Sequence, residues 1–221
     1  MTPTTLNRTR RVVGTALAAA TLAAALSACA PLIVGGAVVG GVMAVDRRTA
    51  GTQIEDEGIE LRAANRIREA LGDRAHVNVT SYNRQALLTG EVATAQDRQA
   101  VEQVVSQVEN VRSVVNDLAV MPPSTLSQRS TDTFITGKVR ASLVDAQDIS
   151  ANSFKVVTER NTVYLMGRVS QREANRASDI ARGVTDVRKV VRVFEIVSEE
   201  ELRRIAPQPA PVTTDTKPAG G

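Results

Sequence analysis

The sequence has no tryptophan, one histidine, one cysteine, and only two tyrosines and three phenylalanines among 221 residues. Each scarcity removes a class of function. A lone cysteine, Cys29, forbids an internal disulfide in any compartment. With His76 as the one histidine and neither an HExxH nor a CxxC motif, a metal centre or a Cys/His nucleophile cannot be assembled, so no cofactor, no metal and no catalytic residue is expected. Too few aromatics are present to stack on bases. The formal charge of +3 comes from Arg8, Arg10 and Arg11, because residues 29–221 carry 24 basic and 24 acidic side chains. A basic pI is therefore no sign of a nucleic-acid partner.

What is present begins with a leader. Residues 1–28 have a basic start, an apolar run from Val12 to Leu26 and then "LSAC", the layout of a secretory signal peptide whose apolar run is too short to span a bilayer. Leu26, Ser27, Ala28 and Cys29 look like a bacterial lipobox. In such signals the cysteine thiol receives a diacylglyceryl group, cleavage precedes it, and the freed amine is acylated. Cys29 is the expected lipidation site, and two or more acyl chains hold a protein stably on a membrane. Ala30 is not the aspartate that resembles an inner-membrane retention signal, so the expected location is the outer membrane, lipid-anchored and facing the periplasm. Residues 29–58, with "PLIVGGAVVGGVMAV", read as a Gly- and Ala-rich tether, and residues 199–221 read as a disordered tail rich in Pro, Ala and Thr.

Between them the chain is duplicated. "RIREAL" (Arg66 to Leu71) matches "KVRASL" (Lys138 to Leu143), "LLTGEV" (Leu87 to Val92) matches "YLMGRV" (Tyr164 to Val169), and "VENVRSVV" (Val108 to Val115) matches "VTDVRKVV" (Val184 to Val191). Each copy predicts a first helix, about Ile59 to Leu71 and Thr133 to Val144, with apolar residues four apart: Ala63, Ile67, Leu71 and Ile135, Val139, Leu143. Ser130 or Thr131 is the expected N-cap of the latter. Two strands follow, turning at Asn83 and at Asn161. A second helix opens with capping pairs Thr94/Asp97 and Ser170/Glu173, and a β-branched run closes the unit. Gly90 and Gly167 sit alike near the end of the second strand, where a bulge or a close approach of the second helix would exclude a side chain. The carboxylates fall singly on helix faces and turns, with solvation as their default, and His76, aligned with Ser153, reads as a surface residue on a strand edge.

The expected fold is therefore α+β: α-β-β-α-β twice, each copy a three-stranded sheet packed against two helices. The copies are residues 59–121 and 130–198, joined by a linker at 122–129. The Leu-x-Gly-x-Val segment, followed by valines beyond the second helix, resembles the BON domain, the bacterial osmotic-shock and nodulation module. Two copies behind a lipobox resemble the dual-BON-domain outer-membrane lipoproteins of that family. The resemblance implies a non-enzymatic protein that binds anionic phospholipid through the first helix of its second domain and supports outer-membrane integrity. Where that family carries a tryptophan on this helix, the chain offers Phe134.

Phe134 is also singled out by periodicity, since it projects roughly 140° from the centre of the Ile135, Val139, Leu143 stripe. With Ile67 aligned to Val139, it corresponds to Arg62, Gly137 to Asn65 and Ala141 to Glu69 or its neighbour Ala70, so the first copy is expected to keep this face polar. Residues 130–197 carry a balance of +3, against −1 for residues 59–121. An aromatic beside cations suits an anionic bilayer. The candidate lipid-binding residues are Phe134, Lys138 and Arg140, with Ile135 and Thr136 flanking them. Two rivals remain. The ring could be buried between the domains, or the protein could be an adaptor that holds the outer-membrane assembly machinery or the cell wall.

Overall fold

A computed structural model describes residues 46–72 and 75–205. The signal peptide, Cys29, the Gly-rich part of the tether and the end of the tail lie outside the described residues. The described residues belong to one compact unit.

The first copy comprises α1 (Ala50–Leu71), β1 (Ala75–Tyr82), β2 (Gln85–Val92), α2 (Ala95–Ser106), β3 (Ser113–Asn116) and β4 (Ala119–Val120). The second comprises α3 (Leu126–Asp145), β5 (Lys155–Glu159), β6 (Thr162–Val169), α4 (Gln171–Gly183) and β7 (Lys189–Ile196), followed by α5 (Glu199–Ile205). In each copy the second strand is central, antiparallel to the first and parallel to the last. The predicted closing strand of copy one is split, because Leu118 turns into the core and the Asn116 side chain accepts from its amide.

Three predicted boundaries move. The first helix begins at Ala50 rather than Ile59, capped by the Thr49 hydroxyl, which accepts from the Thr52 amide. Helix α3 begins at Leu126, inside the expected linker, because Thr125 and Gln128 form a complete capping box there. Ser130 and Thr131 cap nothing; their hydroxyls donate to the carbonyls of Leu126 and Ser127 one turn back. Residues 199–205, read as tail, are helical, with three glutamates in the first turn, two arginines in the last and Leu202 buried. The caps at Thr94 and Ser170 form where the pattern places them.

Alternation along the central strands builds three cores. Ala86 and Leu88 point at α1 and α2, and Val163, Leu165 and Val169 point at α3 and α4. The residues between them, Leu87, Tyr164 and Met166, meet across the two sheets with Tyr82 and Val193. The sheets therefore pack back to back, and the helices form the two outer layers of an α/β/β/α arrangement.

The two glycines are explained by the backbone beside them. A Cβ on Gly90, at φ +112°, would lie 2.1 Å from the His76 carbonyl oxygen, and one on Gly167 would lie 2.4 Å from that of Ser153. The close approach is made by backbone of the neighbouring chain segment, not by the second helix.

The expectation that the carboxylates are solvated fails for Asp56, Glu91, Asp132 and Glu159, which are buried, as are the capping partners Asp97 and Glu173. His76 is not a free surface residue. It is half-buried, and its Nδ1 lies 2.9 Å from the buried Glu91 carboxylate. Glu91 also accepts from Arg160 Nη1 at 2.9 Å and from the Ser124 amide. Burial pushes the Glu91 carboxyl up, but His76, the Ser124 amide and Arg160 outweigh it and hold it below the usual range.

Candidate functional site

Helix α3 packs Asp132, Ile135, Val139 and Leu143 inward. At about 100° per residue these span one side of the helix, and the opposite side carries Leu126, Ser130, Phe134, Gly137, Ala141 and Val144. Leu126 is 80 % exposed, Phe134 66 % and Val144 69 %, so the ring is not sealed between the domains. The helix thus has a second, outward apolar stripe roughly 180° from its core stripe. Lys138 and Arg140 lie about 80° to either side of the outward stripe's centre, where long cationic side chains can reach past an apolar surface. Lys138 Nζ sits 4.7 Å from the Phe134 ring centroid and 3.0 Å from Asp186 Oδ2. Arg140 is exposed and lines a cavity with Asp46, Val144 and Phe154.

Two of the five candidate lipid-binding residues are misplaced for contact. Ile135 is fully buried, and the half-buried Thr136 donates to the Thr158 hydroxyl at 2.8 Å. A helix predicted to start at Thr133 leaves out Leu126, seven residues earlier, and has Val144 as its last residue, so the pairing of the two is not visible in the sequence. Eighteen residues apart, they differ by five whole turns and so share one side.

The repeat alignment through this helix also shifts by one turn. Asp56 accepts from the Asn83 and Arg84 amides, and Asp132 accepts from those of Arg160 and Asn161, each at 2.8 Å. These equivalent contacts pair Asp56 with Asp132, Ile59 with Ile135, Ala63 with Val139 and Ile67 with Leu143. Phe134 therefore corresponds to Gly58, Gly137 to Leu61 and Lys138 to Arg62. The first copy's face is not wholly polar, since Ile54 is 71 % and Leu61 is 65 % exposed. What the second copy alone has is the aromatic ring.

The chain enters the described fold at Asp46, next to the end of α3. Arg47 makes a two-pronged pair with Glu173 at 2.7 and 2.8 Å. Arg48 pairs with Asp56 at 2.7 Å and stacks 4.3 Å from the Tyr82 ring centroid. Consecutive arginines thus bind one copy each. Among the described residues no helix is long and apolar enough to cross a membrane.

Comparison with known proteins agrees with this architecture. The family model of the BON domain matches residues 59–122 and 131–198. The outer membrane lipoprotein DolP of Haemophilus influenzae is 35 % identical over 172 residues, which is 77 % of this chain and 89 % of that protein. The 21 kDa hemolysin of Actinobacillus pleuropneumoniae is 34 % identical over 155 residues, 69 % of this chain and 80 % of its own length. With two matched copies in an α+β fold, the chain belongs to the BON domain family.

Proposed function

We propose that this protein is an outer-membrane lipoprotein, anchored through Cys29 and facing the periplasm, that lays α3 on an anionic phospholipid surface and so supports envelope integrity. The observation that carries this reading is the outward stripe of Leu126, Phe134 and Val144 with one cation on each flank. Such a helix lies in the headgroup boundary, its apolar side chains entering the acyl region and its cations meeting phosphate. With the three apolar side chains half inserted and about 1 kcal/mol from each cation, the contact amounts to about 4–6 kcal/mol. That corresponds to a dissociation constant between about millimolar and tens of micromolar. Such a contact is weak for a free protein and sufficient for a tethered one, because an acyl anchor makes it intramolecular.

The entry of the chain supports the same orientation. Even fully extended, the residues from Cys29 to Asp46 reach about 60 Å at most, and they join the fold beside Arg140 and Val144. The kinship with an outer membrane lipoprotein supports the location. The test uses residues 30–221, which lack the anchor, and vesicles of phosphatidylcholine with or without phosphatidylglycerol. The expected outcome is sedimentation with the acidic vesicles, abolished by Phe134→Glu with the melting temperature unchanged. A chain that ignores acidic vesicles, or a variant that binds as well as the parent, would overturn the reading.

A further inference from the structure

Beside the outward stripe, α3 and α4 border a groove of about 610 Å³ lined by Lys138, Ala141, Ser142, Arg176, Ile180 and Val184, with Gly183 and Thr185 at one end. The first copy supplies an internal comparison. There the residue equivalent to Ser142 is Arg66, whose guanidinium donates to the Gln107 carbonyl at 2.8 Å, and Arg62 reaches the Glu109 carbonyl at 3.3 Å. Both arginines therefore cross from α1 to the end of α2. In the second copy Ser142 and Ala141 stand where Arg66 and Asn65 do, and Gly183 stands for Gln107. Three small residues leave open a space that the twin bridges.

We propose that this groove receives the phosphate headgroup of one anionic phospholipid from the membrane on which α3 lies, an inference that rests on the function proposed above. The groove is continuous with the stripe through Ala141, so a helix resting on a bilayer presents the groove to the same headgroups. Its lining combines the apolar side chains of Ala141, Ile180 and Val184 with the cations Lys138 and Arg176. Both cations have acidic neighbours at present: Asp186 on Lys138 and Asp148 on Arg176 at 2.8 Å, while Asp179 in the groove is held by Arg182. These are exposed pairs of the kind that contribute little, so a phosphate that meets both cations can replace them. The Ser142 and Thr185 hydroxyls are available as donors to phosphate oxygens.

The discriminating variant is Ser142→Arg, which restores the bridging residue of the first copy. It adds a cation to the lipid-facing side, so a contact made by charge alone would tighten by about fivefold. A headgroup site would instead be filled by the arginine side chain, and binding of residues 30–221 to phosphatidylglycerol-containing vesicles is expected to fall by about fivefold or more. Unchanged or tighter binding by a folded variant overturns the groove while parental binding leaves the proposed function standing. Failure of the parent chain to bind overturns both. Should Ser142→Arg lower the melting temperature, Arg176→Gln decides against Arg204→Gln, which removes an equal charge from α5. A larger loss for Arg176→Gln supports the groove, and equal losses overturn it.

Discussion

Asp56 and Asp132 do the same job in the two copies: each carboxylate on a helix receives the two amides of the hairpin turn packed over it. The turns need this help because Asn83, Arg84, Arg160 and Asn161 all have positive φ. Burial pushes the Asp56 carboxyl up, but the Arg84 amide, the Ser81 hydroxyl, Arg48 and the Asn83 amide outweigh it and hold it below the usual carboxylate range. A depressed carboxyl stabilises the fold above its ordinary value, about 3.9, and that stability is lost as pH falls through the depressed one. Asp56→Asn, which keeps the shape but removes the charge and one acceptor oxygen, is expected to cost about 1–3 kcal/mol at pH 7. The deficit, measured by urea unfolding, should narrow below pH 4, where the unfolded chain's carboxyl protonates first, and close as pH falls through the depressed value of the folded one. A deficit independent of pH would show that the charge is irrelevant. Single-sequence reasoning misses such residues, since an aspartate that serves a turn 27 residues away looks like any solvated one.

At the scale of elements, caps and periodicity fixed the helices that pack on the sheets, and the Thr94 and Ser170 caps were legible to the residue. The alignment of the first helices was not. An apolar residue every fourth position matches itself when slid by one turn, so Ile67 fits Val139 or Leu143 equally well, and only the aspartate-to-turn contact distinguishes them. The outward stripe was legible through Phe134 alone; its full length depends on where α3 starts. Since α1 and α3 belong to opposite outer layers, one flat bilayer cannot cover both outward faces. Leu126→Ser with Val144→Ser should therefore weaken binding to acidic vesicles about tenfold, while Ile54→Ser with Leu61→Ser leaves it unchanged. Equal losses from both pairs would remove the geometric basis for choosing α3.

The whole molecule is held by contacts that no repeat pattern contains. Besides the apolar seam between the sheets, Lys155 reaches Glu60 at 2.7 Å, the Tyr164 hydroxyl donates to Asp117 at 2.8 Å, and Asn78 donates to Glu159 at 3.0 Å. Each joins one copy to the other, as do the consecutive Arg47 and Arg48 by binding one copy apiece. Glu159 is the strained member. Burial pushes its carboxyl up, the Asn78 amide opposes this, and the nearby Glu91 and Asp132 charges add to the rise that Arg160 partly offsets. For a raised carboxyl the sign is the reverse of that at Asp56: the contribution is fully present below the ordinary glutamate value, about 4.3, and is lost as pH rises through the raised one. Glu159→Gln mimics the protonated form and can still accept from Asn78, so it escapes that loss. Its melting temperature should exceed the parent's by about 2–4 °C at pH 7.5, with the difference shrinking to nothing as pH falls below 4. A variant less stable than its parent at pH 7.5 would mean that the Glu159 charge holds the two copies together instead of straining their junction.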